Sequence, residues 1–186
     1  MNSLEQLEID LKGMTDGERA LAYDLDDTFF TALGVNDVQG GALHVSGSIR
    51  KAVGFFELHL AIKGTVTISC DRCLDPMSQP IDTSLDCVVK MSADSTWGNE
   101  PCGANSNEDD GVITVDEKEG ILSTAWPIYE TVALAIPIQH VHAPGKCNPA
   151  MTQVLEELSA DRSGDEESNQ PVDPRWEALL KLKSEE

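Results

Sequence analysis

The run Phe56-Glu57-Leu58-His59-Leu60-Ala61-Ile62-Lys63-Gly64-Thr65-Val66-Thr67-Ile68-Ser69-Cys70 decides the fold. Phe56, Leu58, Leu60, Ile62, Val66, Ile68 and Cys70 share one parity, and Glu57, His59, Lys63, Thr65, Thr67 and Ser69 share the other. A strand sends successive side chains to opposite faces, so the pattern predicts a long strand with one buried face. It is hard to fit to a helix. Gly64 interrupts it and predicts a bulge or a close strand crossing.

The same logic extends to both sides. Leu7, Ile9 and Leu11 alternate with acidic residues, and Leu21, Tyr23 and Leu25 alternate with Ala22 and Asp24, so each set predicts a half-buried strand. Met14-Thr15-Asp16-Gly17 supplies a turn between them. Asp26 or Asp27 can cap a short helix through Phe29, Phe30 and Leu33 that Gly34 ends. Leu43, Val45 and Ile49 begin a further strand with Gly47 on the same face. Leu85, Cys87, Val89 and Met91 make another, with Cys87 a small buried apolar residue, and Val112, Ile113 and Val115 suggest a short one. Ile121 to Ile136 is the best helix candidate, with an apolar face from Ala125, Ile128, Tyr129, Val132 and Leu134. Pro127 fits it only near the first turn, and Pro137 ends it. The stretch 138–142 is expected to be extended, and Pro144-Gly145 to re-aim the chain. Pro149 to Leu158 can add a short helix.

Short connections between consecutive strands favour antiparallel pairing, and no βαβ alternation is visible. The expected class is therefore α+β: an antiparallel β-rich core, as a twisted sheet or partly closed barrel, with a packed helix and a C-terminal helix. The expected organisation is a globular domain over 1–158 containing a mobile acidic loop at 93–111, then an acidic disordered linker at 159–172, where apolar groups are scarce. An amphipathic helix follows over 173–186, with Asp173 as cap, Pro174 in the first turn, and Trp176, Leu179 and Leu180 on one face. That helix either packs on its own chain or docks on a partner.

The chain has 186 residues, 33 acidic against 13 basic, and a formal net charge of −20. Phosphate binding relies on Lys and Arg that displace counterions, so this charge argues against a direct grip on nucleic acid and favours basic partners. No run approaches the roughly 20 apolar residues of a membrane helix, and the acidic N-terminus does not read as a secretory signal. The expected compartment is the cytoplasm, with no membrane partner.

Five cysteines are present, at 70, 73, 87, 102 and 147, and their spacing is not a disulfide framework. Cys70-Asp71-Arg72-Cys73 places two thiols so that both can grip one metal ion, and His142 and Cys147 can complete a tetrahedral shell. Three thiolates and an imidazole suit zinc and leave no open position, so such a site would be structural. Arg72 can offset its surplus negative charge. The alternatives are reduced thiols with His142 at the surface, and a redox pair, which would want a helix N-terminus that this context lacks. His140 shares a side with His142 and suggests a ligand pair, whereas Cys102 is expected to be incidental, and His44 and His59 to be plain surface residues. There is no nucleophile elbow, no phosphate-binding glycine loop and no pair of metal-binding histidines on a helix.

The order of these elements resembles the YceD family, the large ribosomal RNA subunit accumulation proteins. The residues that carry the likeness are the strand into Cys70-Asp71-Arg72-Cys73-Leu74, the acidic middle loop, and Ile128-Tyr129-Glu130 leading to Leu134-Ala135-Ile136-Pro137. His142, Cys147 and the segment from Asp173-Pro174-Arg175-Trp176 to Leu182 complete it. The resemblance implies a non-enzymatic ribosome biogenesis factor supporting 23S ribosomal RNA accumulation. Taken with the net charge of −20, it makes a basic ribosomal protein or a large-subunit assembly intermediate the expected partner. Some family members carry an extra pair of cysteines near Cys147; this chain has one, which makes His142 the natural substitute. The competing readings are direct ribosomal RNA binding through Arg50, Lys51, Lys63 and Arg72, a small zinc-binding structural module, and a zinc enzyme with an open metal position.

Overall fold

The computed structural model describes residues 4–15, 17–93 and 111–159. All but the end residues of the loop expected at 93–111, all but the first residue of the linker expected at 159–172, Cys102 and the helix expected at 173–186 lie outside them. Two compact units divide the chain, Met1–Cys147 and Asn148–Glu186.

In the first unit the alternating run forms β4 (Phe55–Ser69). Phe56, Leu58, Leu60, Ile62, Val66 and Ile68 are all buried, as the parity requires. β3 (Gly40–Ala52) precedes it across the Val53-Gly54 turn, and β5 (Pro76–Ser92) follows it. β2 (Glu18–Leu25) and β6 (Val112–Asp116) complete an open five-stranded sheet in the order β2-β3-β4-β5-β6. This is the twisted-sheet form of the expectation and not a closed barrel. β1 (Glu8–Asp10) pairs antiparallel with β7 (Ile121–Ser123) in a separate two-stranded sheet. The buried Thr124 hydroxyl donates to the Leu7 carbonyl at 2.8 Å and secures the end of that pair.

Asp26 caps α1 (Asp27–Leu33) by accepting from the Thr28 N–H at 2.9 Å, and Gly34 ends it in the left-handed region at φ 69°. α2 (Ala125–Ala135) packs against β5 and buries Ile128, Tyr129 and Val132. Pro127 falls in its first turn, where the missing N–H has no intrahelical partner to lose. In the second unit, α3 (Pro149–Glu157) starts on an Asn148 side-chain cap.

Three expectations are corrected, and the alternatives offered for Gly64 are decided. Ile121–Ser123 is a strand, not the start of the helix, because a short apolar run bounded by Gly120 fits either period and pairing with β1 decides it. Leu134 is exposed, since α2 buries the stripe of residues 125, 128, 129 and 132, on the side away from it, and Pro127 in its first turn. β6 runs parallel to β5, with Val89 opposite Ile113, because the intervening residues 93–111 are numerous enough for a crossover. Gly64 marks no bulge: the β3–β4 and β4–β5 registers run through it unbroken. It marks the close approach instead. Its φ is 153°, and a methyl group there would stand 2.9 Å from Leu43 Cα and nearer still to the Ala42 carbonyl oxygen.

The solvent face of the sheet is polar and arranged in rungs. Asp24, His44, Lys63 and Asp82 lie opposite one another across β2, β3, β4 and β5. His44 meets Asp24 at 2.7 Å and Lys63 meets Asp82 at 3.2 Å. Arg50 pairs with its cross-strand neighbour Glu57, and His59 with Asp86 at 2.6 Å. His44 and His59 are surface residues, as expected.

Candidate metal centre

Ser69 and Pro76 form the last rung of the β4–β5 hairpin, and residues 70–75 close its tip. The Cys70 N–H donates to the Asp75 carbonyl and the Leu74 N–H to the Cys70 carbonyl, both at 2.9 Å. This tight fold turns the two side chains of the pair inward, and Cys70 and Cys73 are buried. Leu74 must take a left-handed φ of 63° to complete the turn. For a residue with a Cβ that conformation costs about 1 kcal/mol.

The other two donors arrive from the chain beyond α2. The Asp71 N–H donates to the His140 carbonyl at 2.9 Å, while the His140 N–H donates to Asp71 Oδ2 at 2.7 Å. His140 Nε2 meets Asp71 Oδ1 at 3.2 Å. This two-way clamp aligns the segment so that His142 Nδ1 stands 3.4 Å from Cys73 Sγ. The other ring nitrogen faces the Pro76 carbonyl at 3.3 Å, a partner that orients the ring with Nδ1 toward the sulfurs. The turn closed by the Lys146 N–H on the Ala143 carbonyl, with Gly145 at φ 77°, brings Cys147 back to the others.

The ligand atoms of Cys70, Cys73, His142 and Cys147 lie within 4.8 Å of one another. A tetrahedron with zinc–sulfur bonds of about 2.3 Å has edges of about 3.8 Å, so modest side-chain rotation suffices to complete one. The electrostatics point the same way. Burial opposes a thiolate at Cys70, but hydrogen bonds from the backbone of Cys73, His142 and Arg72 and from the Cys73 side chain outweigh it and hold the thiol down to about 6. The hydrogen bond with Cys70 raises the His142 imidazole against desolvation, and burial pushes the Cys147 thiol up. The site thus favours a thiolate at Cys70 and a neutral thiol at Cys147, which a bound soft cation would have to deprotonate.

The fold thus brings together all four residues singled out as ligands. It diverts His140 to the clamp, and the segment around it is irregular instead of extended, with bends at 138 and 139. Arg72 is exposed and reaches the cluster through its backbone N–H, 3.5 Å from Cys70 Sγ. Cys87 is buried in β5 apart from the group. Asp71 is the residue that sequence reasoning missed as a positioning group. Its only signal was an acid inside the cysteine pair, and the partner lies in a distant segment.

A family model described as large ribosomal RNA subunit accumulation protein YceD matches residues 58–183. The chain belongs to the YceD family. The match covers β4 from Leu58 on, the hairpin tip, α2 and both distant ligands, so the cluster lies wholly within the family region. The family description ties the chain to accumulation of large-subunit ribosomal RNA. No curated protein and no solved structure matches the chain significantly. Among the described residues, no helix is long and apolar enough to cross a membrane.

Proposed function

We propose that this YceD family chain is a non-enzymatic assembly factor for the large ribosomal subunit that holds a basic ribosomal protein or a basic face of an assembly intermediate. The supporting observation is the solvent face of the sheet. Of the four cations offered by the sequence as an RNA-binding patch, Arg72 is exposed at the hairpin tip, but Arg50 and Lys63 each lie opposite a carboxylate in register, Glu57 and Asp82. Lys51 turns its ammonium to the Met14 carbonyl at 3.3 Å. Cations already paired within the protein release few counterions on meeting phosphate, so they add little to RNA affinity. With a net charge of −20 the long-range field attracts polycations.

In the same reading the cluster of Cys70, Cys73, His142 and Cys147 holds zinc and ties the hairpin tip to the chain beyond α2. Three thiolates and one imidazole saturate a tetrahedral ion, which leaves no site for water or substrate, so the role is structural.

The test pairs two measurements. A gel-shift titration with 23S ribosomal RNA fragments at about 0.15 M salt, where the Debye length is about 8 Å, is expected to show no complex. Capture at low salt from a ribosomal protein extract is expected to retain basic large-subunit proteins. Tight, steeply salt-dependent RNA binding with no captured protein would overturn the proposal.

The clamp carries its own expectation. Asp71→Ala removes the carboxylate that seats the His140 segment and should weaken zinc affinity about ten-fold, the usual scale for an outer-sphere partner. Competition against a chromophoric chelator measures it. Unchanged affinity would mean that His142 is positioned without the clamp.

A further inference from the structure

Beside the hairpin tip lies an open groove of about 530 Å³, within the roughly 300–1,000 Å³ range of ordinary binding clefts. Ile68, Ile136 and Pro137 line it, and Leu74 and Ile138 add apolar side chains from either side. Leu74 is 67% exposed and Ile138 fully so. Leu74 is the telling residue. Glycine or asparagine would occupy its left-handed backbone with less strain, yet the position carries a large apolar side chain turned to solvent. Strain kept at an exposed position points to use.

The charges of the groove say what it accepts. Asp37 and Asp71 line it, and no Lys or Arg does. The last turn of α2 has no basic residue, so the partial negative charge at the helix end is uncompensated there. A phosphate backbone is repelled by such a lining, and the aromatic ring among the lining residues, His140, is engaged with Asp71. A second copy of this chain would bring the same acidic surroundings against themselves.

We infer that this groove is the docking site for a protein segment in which apolar side chains alternate with Lys or Arg. The apolar groups meet Leu74 and Ile138, and the cations meet Asp37 and the end of α2. The inference rests on the reading of the chain as a holder of basic protein, and names the place where that protein seats.

The test uses the full chain and two labelled peptides of equal charge, one alternating Lys with Leu and the other Lys with Ser, followed by fluorescence anisotropy at about 0.15 M salt. The Lys–Leu peptide should bind about ten-fold tighter than the Lys–Ser peptide. Ile138→Asp makes the protein more acidic, so general attraction would strengthen, whereas docking in the groove should weaken about ten-fold. Leu74→Asn relieves the backbone and should show a similar loss with no loss of thermal stability. Equal or tighter binding by Ile138→Asp overturns the groove while leaving the protein-holding reading intact. Failure of the unmodified chain to bind either peptide overturns both. A dimer that Ile138→Asp splits would assign the groove to a second copy and overturn the inference. A stretch 173–186 that resists protease until Ile138→Asp is introduced would assign it to the chain itself, with the same consequence.

Discussion

With zinc held as proposed, the unmodified protein is expected to carry one zinc ion per chain and Cys70→Ser none, with a thermal midpoint lowered by roughly 10 °C. The reasoning starts from the tip of the β4–β5 hairpin, where Cys70 is buried and its sulfur collects hydrogen bonds from the backbone of Cys73, His142 and Arg72. Structural zinc in small peptides is worth about 10–16 kcal/mol. This chain keeps its own core without the metal, and an unfolded Cys-X-X-Cys pair retains some affinity, so about 3 kcal/mol should appear as folding stability. At 2–4 °C per kcal/mol for a chain of this size, that is about 10 °C. Elemental analysis of protein purified without chelators gives the stoichiometry, and calorimetry gives the midpoint. Cys87→Ser is the control, since Cys87 is buried in β5 outside the cluster, and it should keep its zinc. Acid should release the ion as protons compete for the sulfurs. A metal-free native protein, or a Cys70→Ser variant that still holds one zinc, would refute the assignment.

Gly64→Ala is expected to cost about 3 kcal/mol or more and to yield mostly insoluble protein. Two penalties coincide there. A φ of 153° is one that residues with a Cβ rarely adopt, and the added methyl would stand 2.9 Å from Leu43 Cα. The obstacles are main-chain atoms of β3, which cannot swing aside as a flexible side chain would. Relief would require β3 and β4 to separate at the centre of the sheet, and overpacking that forces backbone shifts costs about 1–3 kcal/mol before the torsional strain is added. Gly54→Asn is the comparison. Its φ is also positive, at 86°, but nothing lies within 4 Å of the position, and the loss should stay below about 1 kcal/mol. Urea unfolding of the soluble fractions measures both. Equal stability of the two variants would show that the strands yield more easily than their register implies.

How much of this was legible in the sequence depends on whether each feature is local. The parity of β4 needed only its own residues, and so did the Asp26 cap and the Gly34 end of α1. The direction of β6 did not, because it depends on where the chain returns after residues 93–111. Ile121 and Leu122 fit a helix or a strand equally well until β1 supplies a pairing partner. The four donors were legible by chemical type. His142 was among them; what the sequence did not show is how His140 is held off and His142 turned toward the sulfurs, because the bonds from Asp71 and Pro76 that do so are tertiary. The groove lay beyond sequence reasoning for the same reason: Leu74 and Ile138 are far apart in the chain, and neither is remarkable in composition.

The placement of the cysteine pair at a hairpin tip also orders events in time. Closing a loop as short as residues 70–75 takes well under a microsecond, and the two strands can zip outward from it within about ten microseconds. Cys70 and Cys73 therefore meet early, when most of the chain is still searching. His142 and Cys147 lie beyond α2, whose contact with β5 joins remote parts of the chain, and are expected to join them later. A nascent molecule thus holds half a coordination shell before it holds a tertiary structure, and an ion caught there would seed the hairpin while the remaining ligands are still being recruited.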